Sequence, residues 1–345
     1  MNFSEAINNS IVTILKKNKK NLLFGLEVTN IGNVYNEKYP KQVFETPVSE
    51  LSSAGLALGL SLNGFRPQVV FGRVEFAMLA FDQIFTQAGR LEYTFGGKLK
   101  CPVNFRIQIG RQWGNGPQHT ANYHSIFMQS YGLDIFIPST PKEAYQYNLY
   151  MNSLNHPSVM LEHRYLTQIK EEFNLNQILK KPSQTKIYRN RIGKKSNILL
   201  ITYADTLIDS LKAKKELEYY GIPVDVLNFS FFSFKKKMDA KSIKIIEKYD
   251  NLIFVDSAPF EFGILSGIMS LISVKSNKKF RYNYLSPKNH PAPSAVKLVK
   301  NYYIDYQIII KKIMSELKIK KKIKLKKQSF DEKILWPQDN LKDLI

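Results

Sequence analysis

Residues 44–71 read FETPVSELSSAGLALGLSLNGFRPQVVF, and this stretch indicates the fold class. Its small and apolar residues predict a helix over Gly55–Leu62 that packs closely on its neighbours. The apolar run Gln68–Phe71, entered through Arg66-Pro67, predicts a buried strand directly afterwards. A helix followed at once by a buried strand is typical of α/β proteins.

The same alternation extends on both sides of this stretch. Further short apolar runs predict strands at Asn21–Leu26, Val103–Ile107, Leu133–Ile137 and Val159–Glu162. Helical patterns predict helices at Phe76–Leu91, which ends at Gly96-Gly97, and at Thr140–Met151. Alternation of this kind predicts a mostly parallel sheet covered on both faces.

A second α/β alternation begins at Asn197–Tyr203. The chain before it is polar and basic, which predicts a linker with a short β-excursion. We therefore divide the chain into a first α/β domain, a basic linker, a second α/β domain and a Lys-rich C-terminal tail, at residues 1–170, 171–195, 196–320 and 321–345. Trp336 and the apolar residues around it predict that the tail packs back on the fold.

The N-terminus predicts an amphipathic helix with Ser4 as its cap. Basic residues follow the apolar part of this segment, the reverse of a signal peptide. No stretch approaches the roughly 18 apolar residues of a membrane span. The sequence thus predicts a cytoplasmic protein with no membrane partner.

The net charge of +21 invites a nucleic-acid hypothesis, because clustered cations displace counterions from phosphates. However, 41 of the 50 basic residues are Lys, which acts as a point charge, whereas Arg reads base edges bidentately. The excess lies mainly in the linker and in the tail, where residues 320–327 read KKKIKLKK. This placement favours a solvated face or an acidic protein partner, and we do not expect a nucleic-acid partner.

Several common catalytic and binding motifs are missing from the sequence. It has no P-loop, no Gly-x-Gly-x-x-Gly after a strand, no His-Glu-x-x-His and no Gly-x-Ser-x-Gly. Its one Cys excludes a disulfide framework and any Cys-based zinc site. We predict no metal ligands in this chain.

Two side chains remain as candidates from the residues themselves. Glu50 lies where a loop becomes a helix, and a carboxylate there gains about 0.3–1 kcal/mol from the helix dipole, which favours a purely structural role. His119 follows the Gly-rich residues 110–118, GRQWGNGPQ, where it either meets a ligand or bonds the backbone. His124 is predicted on a helix surface.

Four phenylalanines follow the buried strand at short intervals. Phe71, Phe76, Phe81 and Phe85 are typical of a core, although one of them would also serve as a stacking platform for a ring.

Taken together, these segments resemble a known family. Residues 44–50, FETPVSE, resemble the D-T-P-I-S-E signature of the beta subunits of thiamine-diphosphate-dependent 2-oxo acid dehydrogenases, such as the pyruvate, branched-chain and acetoin enzymes. Further matching segments follow in the family's order, among them Asn63–Pro67, Ala80–Ile84, Cys101–Val103, Ile137–Pro141, Gly221–Val226, Val255–Pro259 and His290–Pro293. The resemblance covers roughly residues 20–315.

The resemblance implies a transketolase-like pyrimidine-binding domain followed by a transketolase C-terminal-type domain. It implies that Glu50 hydrogen-bonds N1′ of the cofactor's aminopyrimidine, that Phe76 stacks on this ring, and that His119 acts on the intermediate or the lipoyl acceptor. The diphosphate and its Mg²⁺ belong in the family to an alpha subunit with a Gly-Asp-Gly motif, which this chain lacks. The implied assembly has two alpha and two beta subunits, together with a lipoyl acyltransferase core.

The implied reaction is that of an oxidoreductase component, which decarboxylates a 2-oxo acid and transfers the acyl group to lipoamide. The family's Gly-Glu-Asp/Glu-Val reads here Gly25–Val28, so that Leu26 replaces an acid and Glu27 keeps the second one. Arg111, Asn122 and His124 also depart from the family. These departures keep open an alternative, a transketolase-like or carboligating enzyme in a specialised pathway, such as a sugar pathway, without lipoamide.

Overall fold

The computed structural model describes most of the chain. The described residues are 1–26, 28, 37–111, 115–175, 181–235, 238–299, 301–320, 323–325 and 337–345, with the side chain of Val296 left out. Of the residues used in the sequence predictions, Glu27, Trp336, residues 112–114 of the Gly-rich segment and residues 321, 322, 326 and 327 of the Lys-rich run lie outside them.

The strands of the described residues fall into two sheets. They are β1 (Asn21–Gly25), β2 (Val43–Glu45), β3 (Arg66–Phe71), β4 (Asn104–Ile109), β5 (Asp134–Phe136), β6 (Ser158–His163), β7 (Thr185–Tyr188), β8 (Ile198–Tyr203), β9 (Asp225–Phe229), β10 (Phe231–Phe232), β11 (Asn251–Val255) and β12 (Arg281–Leu285). The described part of the chain forms a seven-stranded sheet in the order β10-β5-β6-β4-β3-β1-β2 and a five-stranded sheet in the order β12-β11-β8-β9-β7. Only the edge strands β10 and β7 run antiparallel to their neighbours within these described sheets.

Helices cover these sheets. They are α1 (Phe3–Lys17), α2 (Glu50–Leu62), α3 (Val74–Ala77), α4 (Gly89–Thr94), α5 (His124–Met128), α6 (Pro141–Met151), α7 (Thr206–Tyr219), α8 (Ala240–Ile246), α9 (Ile264–Lys275), α10 (Val296–Val299) and α11 (Tyr306–Glu316). We call the seven-stranded sheet with its helices the first unit, and the five-stranded sheet with its helices the second unit.

The central strands form because most of their residues are apolar, on both faces. Every residue of β6 and of β8 is buried, as expected for parallel strands with helices above and below. Several polar residues are also buried on these strands; among them Arg106 on β4 forms a two-pronged ion pair with Glu162 on β6, at 2.5 and 3.0 Å. The parallel α/β architecture predicted from the sequence is therefore present in both units.

The two units are joined by more than the connecting chain. Strand β10, which follows β9 of the second unit, pairs with β5 at the edge of the first sheet. The amide of Ile137 donates to the carbonyl of Ser230 at 2.8 Å in the same place. Strand β7 comes from the segment predicted as a linker with a β-excursion, and it pairs with β9 at the edge of the second sheet.

The first helix begins earlier than predicted. Asn2, not Ser4, is its N-cap, because the Asn2 side chain accepts from the Glu5 amide while the Glu5 carboxylate accepts from the Asn2 amide. This reciprocal arrangement is a capping box, and it satisfies two amides that the helix itself leaves open.

The helix predicted over Phe76–Leu91 is wrong as a single α-helix. Its residues form instead α3, a 3₁₀ turn at Met78–Ala80, a π-helical segment at Asp82–Ala88 and then α4. The end at Gly96-Gly97 agrees with the prediction, since both glycines have positive φ and the Gly97 amide bonds the carbonyl of Glu92 at 2.7 Å.

The described end of the tail packs back on the first unit. The amide of Lys170 donates to Asp339, and the amide of Leu341 donates to Lys170, both at 2.9 Å. Leu341 and Leu344 are buried there.

None of the described helices is long and apolar enough to cross a membrane.

Candidate active site

A cleft of about 160 Å³ opens where the parallel strands β1 and β3 of the first unit end. The carboxyl ends of parallel strands are where α/β folds bind small molecules, because loops with free backbone groups meet there. The cleft is lined by Gly25, Leu26, Thr46, Pro47, Ser49, Glu50, Ser53, Val70, Phe71, Gly72, Arg73, Phe76 and His119. Glu50, Phe76 and His119, three candidates separated by 26 and 43 positions in the sequence, therefore share one cleft.

Glu50 is placed in the cleft by the start of helix α2. The Thr46 amide bonds the carbonyl of Gly25 at 3.1 Å, so the chain leaving β2 is tied to the end of β1. Ala54 and Ala57 are fully buried and fix the helix against the sheet. Glu50 is the first residue of α2, and no described residue forms a hydrogen bond or ion pair with its carboxylate. The carboxylate is thus available to a ligand.

Phe76 reaches the cleft from the short helix α3. This helix follows β3 after only Gly72 and Arg73, and Val74 and Ala77 anchor it in the core with at most 1% exposure. Phe76 itself is half-buried and lines the cleft. An aromatic ring held this way offers a flat apolar face to a ring of a ligand.

His119 comes from the far side, out of the Gly-rich loop. Its ring meets the edge of Phe76 with the centroids 5.6 Å apart and the planes at 76°. Its Nδ1 lies 2.5 Å from the carbonyl oxygen of Gln118, which can only accept, so Nδ1 carries the proton and Nε2 of the neutral ring is an acceptor. This tautomer suits a residue that takes up a proton.

Arg73 and Leu26 also line the cleft, and sequence reasoning did not single out Arg73. The Arg73 Nη1 donates to the carbonyl of Gly72 at 2.5 Å and lies 3.5 Å from Oε1 of Gln108. Leu26 is 37% exposed beside Glu50, so the position where the family has an acid presents a hydrocarbon surface here. No sequence motif points to Arg73, because its place in the cleft depends on where β3 ends.

A buried ionic cluster lies behind the Gly-rich loop, between the two units. Arg111 forms an ion pair with Asp205 (Nε–Oδ2, 3.2 Å) and donates from Nη2 to Asp209 Oδ2 at 3.3 Å. The Arg111 guanidinium lies between two aromatic rings, 3.6 Å from the Tyr165 centroid and 4.6 Å from that of Tyr303. Burial raises the pKa of Asp209 to about 6 although Arg111 opposes the change.

His163 belongs to the same cluster. Its Nδ1 accepts from the amide of Tyr165 at 3.3 Å, so the ring proton is on Nε2, which lies 3.3 Å from Oδ1 of Asp205. Burial lowers the pKa of His163 to about 4, and the opposing charge of Asp205 does not cancel this effect. Burial also disfavours the ionised Asp205, but His163 and Arg111 outweigh it and lower the pKa of that carboxyl.

The expectation that His124 lies on the surface is wrong. It is fully buried in α5, its ring parallel to that of His163 and edge-on to that of Tyr203, at centroid distances of 6.2 and 5.1 Å. Burial and the neighbouring His163 lower its pKa to about 3, so it is neutral. The amphipathic pattern of this short helix was too brief to reveal that the second unit covers it.

The departures Arg111, Asn122 and His124 therefore face the second unit. The Asn122 side chain donates to the carbonyl of Ser257 at 2.6 Å, across the boundary between the units. None of these three residues lines the cleft with Glu50. The partner residues of Arg111 were invisible in the sequence because they lie 94 and 98 positions away.

In the described part of the chain, no group of three or more His, Cys, Asp or Glu side chains is arranged to hold a metal ion.

Comparison with protein families gives two matches. Residues 1–170 match the transketolase pyrimidine-binding domain, and residues 188–307 match the transketolase C-terminal domain.

Two relatives with similar sequences carry the same name. The chain is 30% identical over 285 residues to the pyruvate dehydrogenase E1 component subunit beta of Staphylococcus aureus, which covers 80% of this chain and 86% of the relative. It is 32% identical over 236 residues to the protein of the same name from Staphylococcus epidermidis, covering 66% of this chain and 71% of the relative.

Among solved structures, a split-gene transketolase described as an inactive beta4 tetramer has the same fold. The TM-score is 0.73 at 15% identity, with 92% of this chain and 98% of that chain covered. Both the fold and the relatives agree with the resemblance found in residues 44–50 and in the segments that follow. The chain belongs to the transketolase-like, thiamine-diphosphate-dependent family that includes the beta subunits of pyruvate dehydrogenase E1 components.

Proposed function

We propose that this chain is the beta subunit of a thiamine-diphosphate-dependent 2-oxo acid dehydrogenase, which decarboxylates a 2-oxo acid and passes the acyl group to lipoamide. The single observation that carries the proposal is that Glu50, Phe76 and His119 line one cleft at the ends of parallel strands. The relatives named E1 beta subunits support the same reaction class.

The residues of the cleft fit the aminopyrimidine end of thiamine diphosphate. A carboxylate without a described partner, an aromatic face and a volume of about 160 Å³ suit one small polar heterocycle. When bound, thiamine diphosphate supplies the carbon nucleophile and electron sink for cleaving the bond next to a carbonyl. In this proposal Glu50 binds N1′ of the pyrimidine and Phe76 stacks on its face.

His119 is the proposed catalytic residue on the substrate side. Its Nε2 is the acceptor nitrogen of the neutral ring, because Nδ1 donates to Gln118. A neutral imidazole with an open acceptor nitrogen can take up a proton and return it, as general acid–base chemistry requires. Its contact with Phe76 keeps this nitrogen close to the ring platform.

The diphosphate end and Mg²⁺ are assigned to the alpha partner. This assignment rests on the resemblance and on the E1 beta relatives, since a divalent ion at a diphosphate needs oxygen ligands that an alpha subunit with Gly-Asp-Gly supplies. The proposed assembly has two alpha and two beta subunits and delivers acyl groups to a lipoyl acyltransferase core.

The division of the chain into domains, linker and tail at residues 170, 195 and 320 stays a prediction, and so does the cytoplasmic location.

The carboligating alternative keeps the same cofactor and cleft. Three of the residues that suggested it, Arg111, Asn122 and His124, contact the second unit and do not line the cleft, whereas Leu26 lines the cleft together with Glu50. The dehydrogenase is preferred because the relatives are named pyruvate dehydrogenase E1 beta subunits.

A reductive acylation assay tests the proposal. The chain, reconstituted with an alpha subunit that carries Gly-Asp-Gly, is supplied with thiamine diphosphate, Mg²⁺, a lipoyl domain and a panel of 2-oxo acids. We expect acylated lipoyl domain that depends on all components. If the pair instead joins two carbonyl compounds and never acylates the lipoyl domain, the dehydrogenase proposal is wrong and the carboligating alternative takes its place.

A further inference from the structure

His119 belongs to a loop that the second unit holds at several points. We call residues 110–111 and 115–122 the His119 loop. Within the first unit, the Gly110 amide donates to the Ala121 carbonyl at 3.1 Å, and the Ala121 amide donates to Oε1 of Glu75 at 2.9 Å. These bonds close the loop but leave its outer side to the second unit.

The strongest contact with the second unit is made by Arg111. Asp205 and Asp209 lie one turn apart at the start of α7, so their carboxylates share one face of the helix. Arg111 engages both, and all three side chains are at most 7% exposed. A guanidinium suits this arrangement because its nitrogens point to two carboxylates at once, which an ammonium cannot reproduce.

Tyr303 links this ion cluster to the neighbour of His119. Its ring lies over the Arg111 guanidinium, and its hydroxyl is close to the Thr120 side chain. The Thr120 hydroxyl in turn donates to the carbonyl of Gly116 at 2.7 Å. The loop is close to the second unit at two further places. The Asn122 side chain donates to the carbonyl of Ser257, and Gly116 is so near Ser294 that a Cβ added to it would stand 2.8 Å from the Ser294 hydroxyl.

We propose that Arg111 is a positioning residue, which holds the His119 loop against Asp205 and Asp209 of the second unit and thereby fixes His119 over the cleft. The catalytic meaning of this position rests on the proposed function of His119. Glu50 and Phe76 are on other elements, α2 and α3, so the proposal separates the positioning of His119 from cofactor binding.

The test uses two variants of the full chain in the reconstituted complex. Arg111→Lys keeps the positive charge and loses the planar guanidinium, and Tyr303→Leu removes the ring that lies over the guanidinium. Arg191→Lys is the matched control, since Arg191 is 52% exposed and lies 3.7 Å from Glu218 away from the loop. Hydrogen exchange of the peptide with residues 115–122 and steady-state kinetics are measured for each.

For Arg111→Lys we expect at least tenfold faster exchange in this peptide, about tenfold lower kcat, and a KM for thiamine diphosphate within threefold of the wild type. Tyr303→Leu is expected to show the same pattern with smaller changes, and it decides the question if Arg111→Lys does not fold. Unchanged exchange of the peptide in the folded variants, or a loss of kcat matched by an equal loss of cofactor binding, would overturn the proposal.

The exchange measurement also separates this proposal from the proposed function. If the wild-type complex turns over no 2-oxo acid, the proposed function is wrong. Faster exchange of the peptide with residues 115–122 in Arg111→Lys would still support the positioning role of Arg111. If turnover is present and the exchange of this peptide is unchanged in the variants, only the positioning role of Arg111 is wrong.

Discussion

At the scale of single residues, Glu50, Phe76 and His119 each have an ordinary structural explanation when taken alone. Glu50 would stabilise a helix start, Phe76 would fill a core, and His119 would bond the backbone. The structure brings all three to one cleft, and it leaves the Glu50 carboxylate without a described partner. Their coincidence in space is what favours a cofactor site over three separate structural roles.

The first prediction concerns Phe76. Phe76→Ala removes the ring that lines the cleft, and stacking contributes about 0.5–1.5 kcal/mol beyond burial. We expect the KM for thiamine diphosphate to rise about tenfold, with a smaller change in kcat. Phe95→Ala is the control, because Phe95 is 50% exposed and does not line the cleft. An equal effect of both substitutions on KM would contradict the stacking role.

At the scale of elements, the strands were predictable and the interrupted helix was not. Apolar runs such as residues 197–203 indicate buried parallel strands directly. The residues after Phe76 keep a helical pattern, yet they form a 3₁₀ turn and a π-helical segment, since hydrophobic spacing does not distinguish bonds to the third, fourth or fifth residue. Gly89 follows this segment, and its backbone lies close to that of Gly132. A Cβ added to Gly132 would stand 1.9 Å from the carbonyl oxygen of Gly89, a close approach that no sequence pattern reveals.

The second prediction concerns the start of the His119 loop. Gly110 has φ +84°, and a Cβ there would lie 2.0 Å from Nε2 of His163. Gly193 has φ +73°, and a Cβ at this position would meet no described atom within 4 Å. Gly193→Ala should therefore cost about 1–2 kcal/mol of backbone strain, and Gly110→Ala roughly twice that or more because of the clash. Urea unfolding measures both, and equal losses would show that the contact with His163 is unimportant.

At the scale of the whole molecule, the relation between the two units could not be deduced from the sequence. The two α/β units were predicted, and residues 188–307 match the expected second domain. The contacts that join them depend on residues far apart in the chain, such as Arg111 with Asp209 or Asn122 with Ser257. In the sequence, Arg111 stands out only as a departure from the family's pattern, and nothing there indicates that Asp205 and Asp209 are its partners.

This buried junction predicts how stability depends on pH. His124 and His163 have pKa values of about 3 and 4 in the folded chain, whereas an ordinary histidine has a pKa of 6.5. Between the folded value and 6.5, the unfolded chain therefore binds protons that the native chain does not. Stability therefore falls as the pH falls through this window. Asp209 acts in the opposite direction, because its pKa of about 6 lets the native chain take up a proton first. The buried carboxyls of Glu143 and Asp256, whose pKa values are also raised, act in the same direction as Asp209, so the contribution of a histidine has to be isolated by substitution.

The third prediction isolates His124 from these groups. In His124→Phe, the pH dependence of the unfolding free energy between pH 6 and 4 should be shallower by about one proton. Urea titrations at a series of pH values measure this slope. His290→Phe, at an exposed position, is the matched control for the same substitution outside the buried junction. A slope in His124→Phe identical to the wild type would mean that His124 is protonated in the native protein.

The most direct test of the cofactor site is the turnover of the reconstituted complex with Glu50→Gln. A charge-assisted hydrogen bond of about 1.5–3 kcal/mol corresponds to roughly a 10- to 150-fold change in rate. We predict a loss of kcat in that range for Glu50→Gln, while Glu172→Gln, at a side chain 71% exposed and paired with Lys342, stays within twofold of the wild type. Unchanged turnover in Glu50→Gln would contradict the assignment of the cleft to thiamine diphosphate.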